Sequence, residues 1–210
     1  MAGDQGTGLP EHVFPEWKAI NSSVGELHLF WRFHSRFCGR AEDVELMQRI
    51  LPFPYAIIRK GLLFSIIMEI RRLMDPAQYR GDINLSLERL VEVIKHHTPA
   101  ALHERLAKMR EEIHAHCLPI IKWGNKRVGH AGKDMALGLA TEKLPEVDEQ
   151  HFESALAMMH DLLKQIHAHF NGPDTPMPFP EPTGDAEVLL DYIRTGHYAK
   201  QAGLRRCLID

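Results

Sequence analysis

The stretch Pro54-Tyr-Ala-Ile-Ile-Arg-Lys-Gly-Leu-Leu-Phe-Ser-Ile-Ile-Met-Glu-Ile-Arg-Arg-Leu-Met74 is the most apolar in the chain, and what it forms decides the fold. Its long hydrophobic surface suits a helix with several neighbours, at the centre of a bundle. Proline opens it, as proline does in a first helical turn, and Asp75-Pro76 closes it. A membrane span is argued against: the greasiest part, Gly61 to Ile70, is interrupted by Glu69 and flanked by Arg59, Lys60, Arg71 and Arg72. That is well short of the roughly 20 apolar residues a bilayer requires.

Helical patterns extend outward on both sides. Upstream, Phe14, Trp17, Ile20, Val24, Leu27, Phe30, Trp31 and His34 recur at helical spacing over Val13 to Phe37, with Gly39 as the stop and a shorter helix from Ala41 to Leu51. Downstream, after a loop containing Gly81, Asn84 or Ser86 can cap a helix running to about His96. Pro99 opens another, to about Cys117, with a bend at Pro119 before Trp123. Val147 to Phe170 is the last long helix, stopped by Asn171-Gly172. No strand is expected, and the fold class is all-α, a bundle of about five to six helices.

The 210 residues fit one large domain or one domain with an appendage. The expected division is a disordered tail over 1–12, the bundle over 13–171, and a Pro-rich connector with a short helix, Ala186 to Arg194, over 172–210. With 44% hydrophobic and 25% charged residues the chain is a folded protein, and its net charge of -3 leaves any affinity for RNA to local patches. Cys38, Cys117 and Cys207 are odd in number and far apart, which argues against both a disulfide framework and a zinc site. The polar, glycine-rich start lacks the features of a secretory signal, so the cytoplasm is the expected location.

One segment carries a possible chemistry. Trp123-Gly-Asn-Lys-Arg-Val-Gly-His-Ala-Gly-Lys-Asp134 resembles the Arg-Asn-Lys-x-x-Ala-His-x-x-Asp sequences of the HEPN superfamily (higher eukaryotes and prokaryotes nucleotide-binding). Arg72-Leu-Met-Asp-Pro76, followed by Asn84-Leu-Ser-Leu-Glu-Arg-Leu90, is similar to a helix end and helix start in the subgroup related to abortive-infection protein U. With the helix order, the likeness spans roughly residues 14 to 170. It implies an RNA-binding or metal-independent RNA-cleaving protein of a defence or toxin–antitoxin type, acting as a homodimer whose motifs share one cleft. It further implies no cofactor, RNA as substrate and a cognate antitoxin as a further partner.

RNA can be cut by its own 2'-hydroxyl when a side chain titrating near neutrality moves the protons and a fixed cation stabilises the charge on phosphorus. The resemblance gives the first role to His130. The second belongs in the family to an Arg with four to six residues between it and the His, but positions 123 to 125 here are Trp, Gly and Asn. Arg127 is the substitute candidate, with Asn125, Lys126 and Lys122 for RNA or phosphate and Asp134 to orient the imidazole. The rival expectation is a catalytically inactive HEPN domain that binds a protein or a ligand, and position 124 separates the two.

Other signals are weaker. The pairs His96-His97, His114-Ala-His116 and His167-Ala-His169 point in different directions on a helix and do not form a chelate. Glu111-Glu-Ile-His114 and Asp148-Glu-Gln-His151 match half-sites of a di-iron bundle, with Glu69 the single attractive further carboxylate, so no metal is expected. The aromatic series from Phe14 to Phe37 suits core packing better than base stacking.

Overall fold

The computed structural model describes residues 8–126, 145–180 and 186–202. Among these residues the chain is all-α apart from one small hairpin: α1 (Phe14–Gly39), α2 (Ala41–Ile50), α3 (Pro52–Leu73), β1 (Gln78–Tyr79), β2 (Asp82–Ile83), α4 (Leu87–Val93), a 3-10 turn (Lys95–His97), α5 (Ala100–Gly124), α6 (Glu149–Asn171) and α7 (Ala186–Gln201). No helix among the described residues is long and apolar enough to cross a membrane.

The hairpin corrects the expectation of a strandless chain. Gln78 pairs with Ile83 and Tyr79 with Asp82, and the turn between them places both Arg80 (φ 53°) and Gly81 (φ 97°) in the left-handed region. That is the requirement of a tight two-residue hairpin, which glycine meets at little cost. Two residues per strand are too few to leave an alternating pattern in the sequence.

Other boundaries follow from identifiable groups. Ser86 caps α4, accepting from the Arg89 N–H at 3.3 Å, while Asn84 donates instead to the Pro76 carbonyl at 2.8 Å. Asp148 caps α6 by accepting from the His151 N–H at 2.9 Å. Helix α5 does not end near Cys117 but continues through Pro119 to Gly124. The proline deprives the helix of one backbone bond, but Cys117 and Ile120 on either side of it are fully buried and hold the last turns in place. Burial also pushes the Cys117 thiol up to about 12, so it is an inert core group.

The chain divides into two compact units. The first comprises residues 1–28 and 66–180. Its buried apolar residues include Trp17, Ile20, Val24 and Leu27 of α1 and Ile66, Ile67, Ile70 and Leu73 of α3, together with residues of α4, α5 and α6. Helices α5 and α6 run antiparallel, with His116 Nε2 3.1 Å from the His151 carbonyl at one end and the Gln165 amide 3.1 Å from Met109 Sδ further along. Ahead of α1, Leu9 is buried and the Gly8 N–H donates to Asn171 Oδ1 at 2.8 Å.

The Pro-rich segment is part of this unit. Asn21 Nδ2 donates to the Pro178 carbonyl at 2.6 Å, Phe179 makes edge contacts with the rings of His28 and His160, and Pro180 lies where a side chain on Gly25 would have to go. His167, buried beneath the same segment, stacks on Trp17 with ring centroids 5.4 Å apart.

The second unit comprises residues 29–65 and 181–210. Phe37, Met47, Tyr55, Ala186 and Leu190 form its core. Helix α7 is longer than the expected Ala186 to Arg194, and Arg194 fastens it: its guanidinium reaches buried Asp43 of α2 at 2.5 Å and Asp191 of its own helix at 2.6 Å. Arg40 adds a second tie to Glu187 at 3.2 Å.

Candidate functional site

Of the residues singled out for RNA chemistry, Lys122, Asn125 and Lys126 are described; Arg127, His130 and Asp134 lie outside the described residues. Helix α5 carries Lys122 in its last turn, and Asn125 and Lys126 follow in a wider π-type turn. Asn125 sits at the C-cap of α5 in helical conformation (φ -61°, ψ -41°), its N–H bonded to the carbonyls of Ile121 and Lys122.

Gly124 explains the orientation of this group. It is buried, and a Cβ built on it would stand 2.8 Å from Cγ2 of Ile67 on α3. The methyl belongs to a β-branched residue that is itself 2% exposed, so it has nowhere to move. Glycine here permits α5 and α3 to touch backbone to side chain. Lys122, Asn125 and Lys126, at i, i+3 and i+4, then fall on the opposite side of the helix, where Lys122 and Asn125 are exposed and Lys126 is half-buried. Lys122 and Lys126 also offset the partial negative charge at the C-terminal end of α5, which is the bland account of two lysines in this position.

Beyond this group lies a polar cluster that the sequence reading did not assemble. Arg72, near the end of α3, binds the Glu69 carboxylate one turn back, donates to Ser23 Oγ of α1 at 2.7 Å and to the Leu85 carbonyl at 3.0 Å. The hydrogen bond from Arg72 holds the Glu69 carboxyl below its ordinary value and, in return, raises the guanidinium. Three elements are thereby joined through one side chain. Asp75 acts on Arg72 as a nearby charge, while Glu69 occupies the guanidinium. The spacing Glu69 to Arg72 on an otherwise apolar helix was the available signal.

The di-iron half-sites are used differently. Glu69 is bound to Arg72, Asp148 caps α6, and His151 stacks on His116 with centroids 4.9 Å apart rather than meeting His114. Among the described residues no group of three His, Cys, Asp or Glu side chains is placed to hold a metal ion.

The family model HEPN_AbiU2, described as AbiU2, matches residues 28–189. The chain belongs to the HEPN_AbiU2 family. It is therefore a HEPN domain of the abortive-infection kind, and the match takes in all three described candidates as well as Arg127, His130 and Asp134. No curated protein and no solved structure matches the chain. Within this HEPN_AbiU2 domain, position 124 has a definite structural duty: the lack of a side chain on Gly124 lets two helices meet.

Proposed function

We propose that this HEPN domain is an RNA-binding protein of the defence or toxin–antitoxin type, in which Lys122, Asn125 and Lys126 receive the RNA backbone. In this reading cleavage proceeds without metal, with His130 moving the protons, Arg127 supplying the transition-state charge and Asp134 orienting the imidazole. The observation that carries it is Gly124. Because that position faces Ile67, the two lysines and the asparagine are turned to the outside together, immediately before the segment that holds Arg127 and His130. Two lysines and an amide give a phosphate both charge and a hydrogen-bond donor.

Homodimerisation belongs to the same proposal. The first half of α3 leaves Phe53 (73% exposed), Ile57 (54%) and Ile58 (37%) to solvent, an apolar face that a second copy would cover. Sedimentation of the wild type should give a dimer, and Ile57→Asp should give a monomer; a monomeric wild type at micromolar concentration overturns this part.

The test for RNA is binding and cleavage of a single-stranded oligonucleotide with chelator present. Lys122→Gln with Lys126→Gln should weaken binding and lower the slope of log affinity against log salt by about 1.4, two contacts at roughly 0.7 each. His130→Ala should keep binding and abolish cleavage. The packing of Gly124 also favours a second reading, a domain that has given up catalysis and works through a bound protein. Wild type that neither binds nor cuts RNA selects it.

A further inference from the structure

Residues 173–180 of the first unit run as a strap over α1 and α6, and imidazoles make up much of what it rests on. Phe179 makes edge contacts with His28 of α1 and His160 of α6, at centroid distances of 5.1 and 4.8 Å, and the two imidazoles are 5.9 Å from each other. Further back, the Thr175 and Pro176 carbonyls face His167, which is stacked on Trp17. Other ties are the Asn21 hydrogen bond to Pro178 and the seat of Pro180 on Gly25. From 176 to 180 there is no helix or strand, and three of the residues are prolines without an N–H, so the strap stays down through these contacts and not through structure of its own. No residue from 173 to 180 is itself buried, so the core of the unit is complete without them.

The geometry under the strap suits neutral rings. The Gly8 N–H uses Asn171 Oδ1, which turns the Asn171 amide nitrogen toward His167 Nδ1 at 3.1 Å, and a ring nitrogen that accepts carries no proton. On His28, Nε2 donates to the Leu156 carbonyl at 3.2 Å, so a further proton goes to Nδ1, against the field of His160. His160 Nδ1 is buried with no hydrogen-bond partner among the described residues, and a second proton on that ring leaves an N–H without an acceptor. No carboxylate offsets a charge here. Lys18 and Glu26 on α1, Asp161 and Lys164 on α6 and Asp174 on the strap are exposed; among the described residues His160 is the one group whose charge acts on His28, and none acts on His167. Burial holds His28 and His167 below the ordinary 6.5, with the Leu156 carbonyl acting against it on the first and the Thr175 and Pro176 carbonyls on the second.

We propose that residues 173–180 are an acid-released latch, held on α1 and α6 while His28, His160 and His167 are neutral and lifting as these rings take up protons, with the helices beneath still folded. Once the strap is up, the rings meet water and return toward 6.5. Closure therefore keeps its full strength above about 6.5 and loses it progressively as the pH falls below that value. Lifting uncovers Trp17 and Asn21 and frees the segment that leads toward α7 in sequence. The latch involves none of Lys122, Asn125 and Lys126, and it stands whether or not the domain binds RNA.

Methyl NMR of the full chain labelled at its methionine methyls tests it, because Met177 lies in the strap while Met74 and Met159 are buried in the body of the same unit. Gly25→Ala, whose added methyl takes the place of Pro180, supplies the spectrum of the lifted strap at pH 7.5. In the wild type the Met177 methyl should pass to that position and to the relaxation of a free peptide between about pH 6.5 and pH 5, with Met74 and Met159 unmoved. His167→Gln, and His28→Gln combined with His160→Gln, should each lower the midpoint of this change by about 0.5 pH unit or more. A Met177 methyl that stays in place down to pH 5, or that moves only together with Met74 and Met159, overturns the latch, as does one midpoint shared by the wild type and both histidine variants.

Discussion

Helix α3 has two halves of similar hydropathy and opposite surroundings. From Ile66 onward Ile66, Ile67, Ile70 and Leu73 are all 2% exposed or less, whereas from Pro52 to Ser65 Tyr55 alone is buried and Phe53, Ile57 and Ile58 face water. The difference lies in what each half meets. In the first unit the second half meets α1 through Arg72 and Ser23 and meets α5 where Ile67 stands against Gly124; in the second unit the first half packs chiefly through Tyr55, against Phe37 and its neighbours. An apolar helix thus reports that a surface needs covering without saying whether the cover comes from the same chain.

The comparison is sharpest in a matched pair of truncations. Ile70→Ala removes a fully buried side chain and should cost about 2–5 kcal/mol in urea unfolding, whereas Ile57→Ala should change the stability of the monomer by less than about 0.5 kcal/mol. Equal losses measured at a concentration where the chain is monomeric would show that the first half of α3 has a partner within its own chain.

The sequence made this helix legible as an element but divided it wrongly in purpose, placing all of it at the centre of a bundle. Periodicity located the long helices to within a few residues, because each buries a continuous stripe. It could not locate the two-residue strands, the passage of α5 through Pro119, or the extra length of α7, all of which depend on tertiary contacts such as Arg194 with Asp43. For the candidate site, the residue types at 122, 125 and 126 were readable, but the reason for glycine at 124 was not. Nothing in the local sequence indicates that Ile67 lies against it.

Gly124 gives the second prediction. The obvious repair of the motif, Gly124→Arg, forces a side chain against Ile67 and should destabilise the first unit by about 1–3 kcal/mol rather than restore a cleavage site. A variant as stable as the wild type with increased RNA cleavage would show that α5 can turn to present position 124 outward.

Acid should act on both units through buried imidazoles. Burial holds His28, His34 and His167 below the ordinary value of 6.5, with His160 acting in the same direction on His28 and Arg59 on His34. The unfolded chain takes up these protons as the pH falls through about 6.5 while the folded chain does not, so stability is fully present above that value and declines below it. Glu69, held low chiefly by Arg72, contributes stability that is lost only further down, below its ordinary 4.5. The urea midpoint should therefore fall between pH 7 and pH 5, and His167→Gln in the first unit or His34→Gln in the second should each flatten the profile. A midpoint constant over that range would mean that these rings protonate in place.

The smallest effect is the most informative about the exposed half of α3. Gly61 lies there in the helix interior, exposed, with no atom within 4 Å of where a Cβ would stand. In an isolated chain Gly61→Ala should therefore raise stability by about 0.5–1 kcal/mol, the difference in helix propensity with nothing to oppose it. If a second copy lies against Phe53 and Ile57, the same methyl enters the interface, where one added carbon is either accommodated or forces the helices apart. Measured below and above the concentration at which the chain associates, the substitution separates the two terms. A gain at low concentration that shrinks or reverses at high concentration places the partner on this face; the same gain at both leaves the face to water.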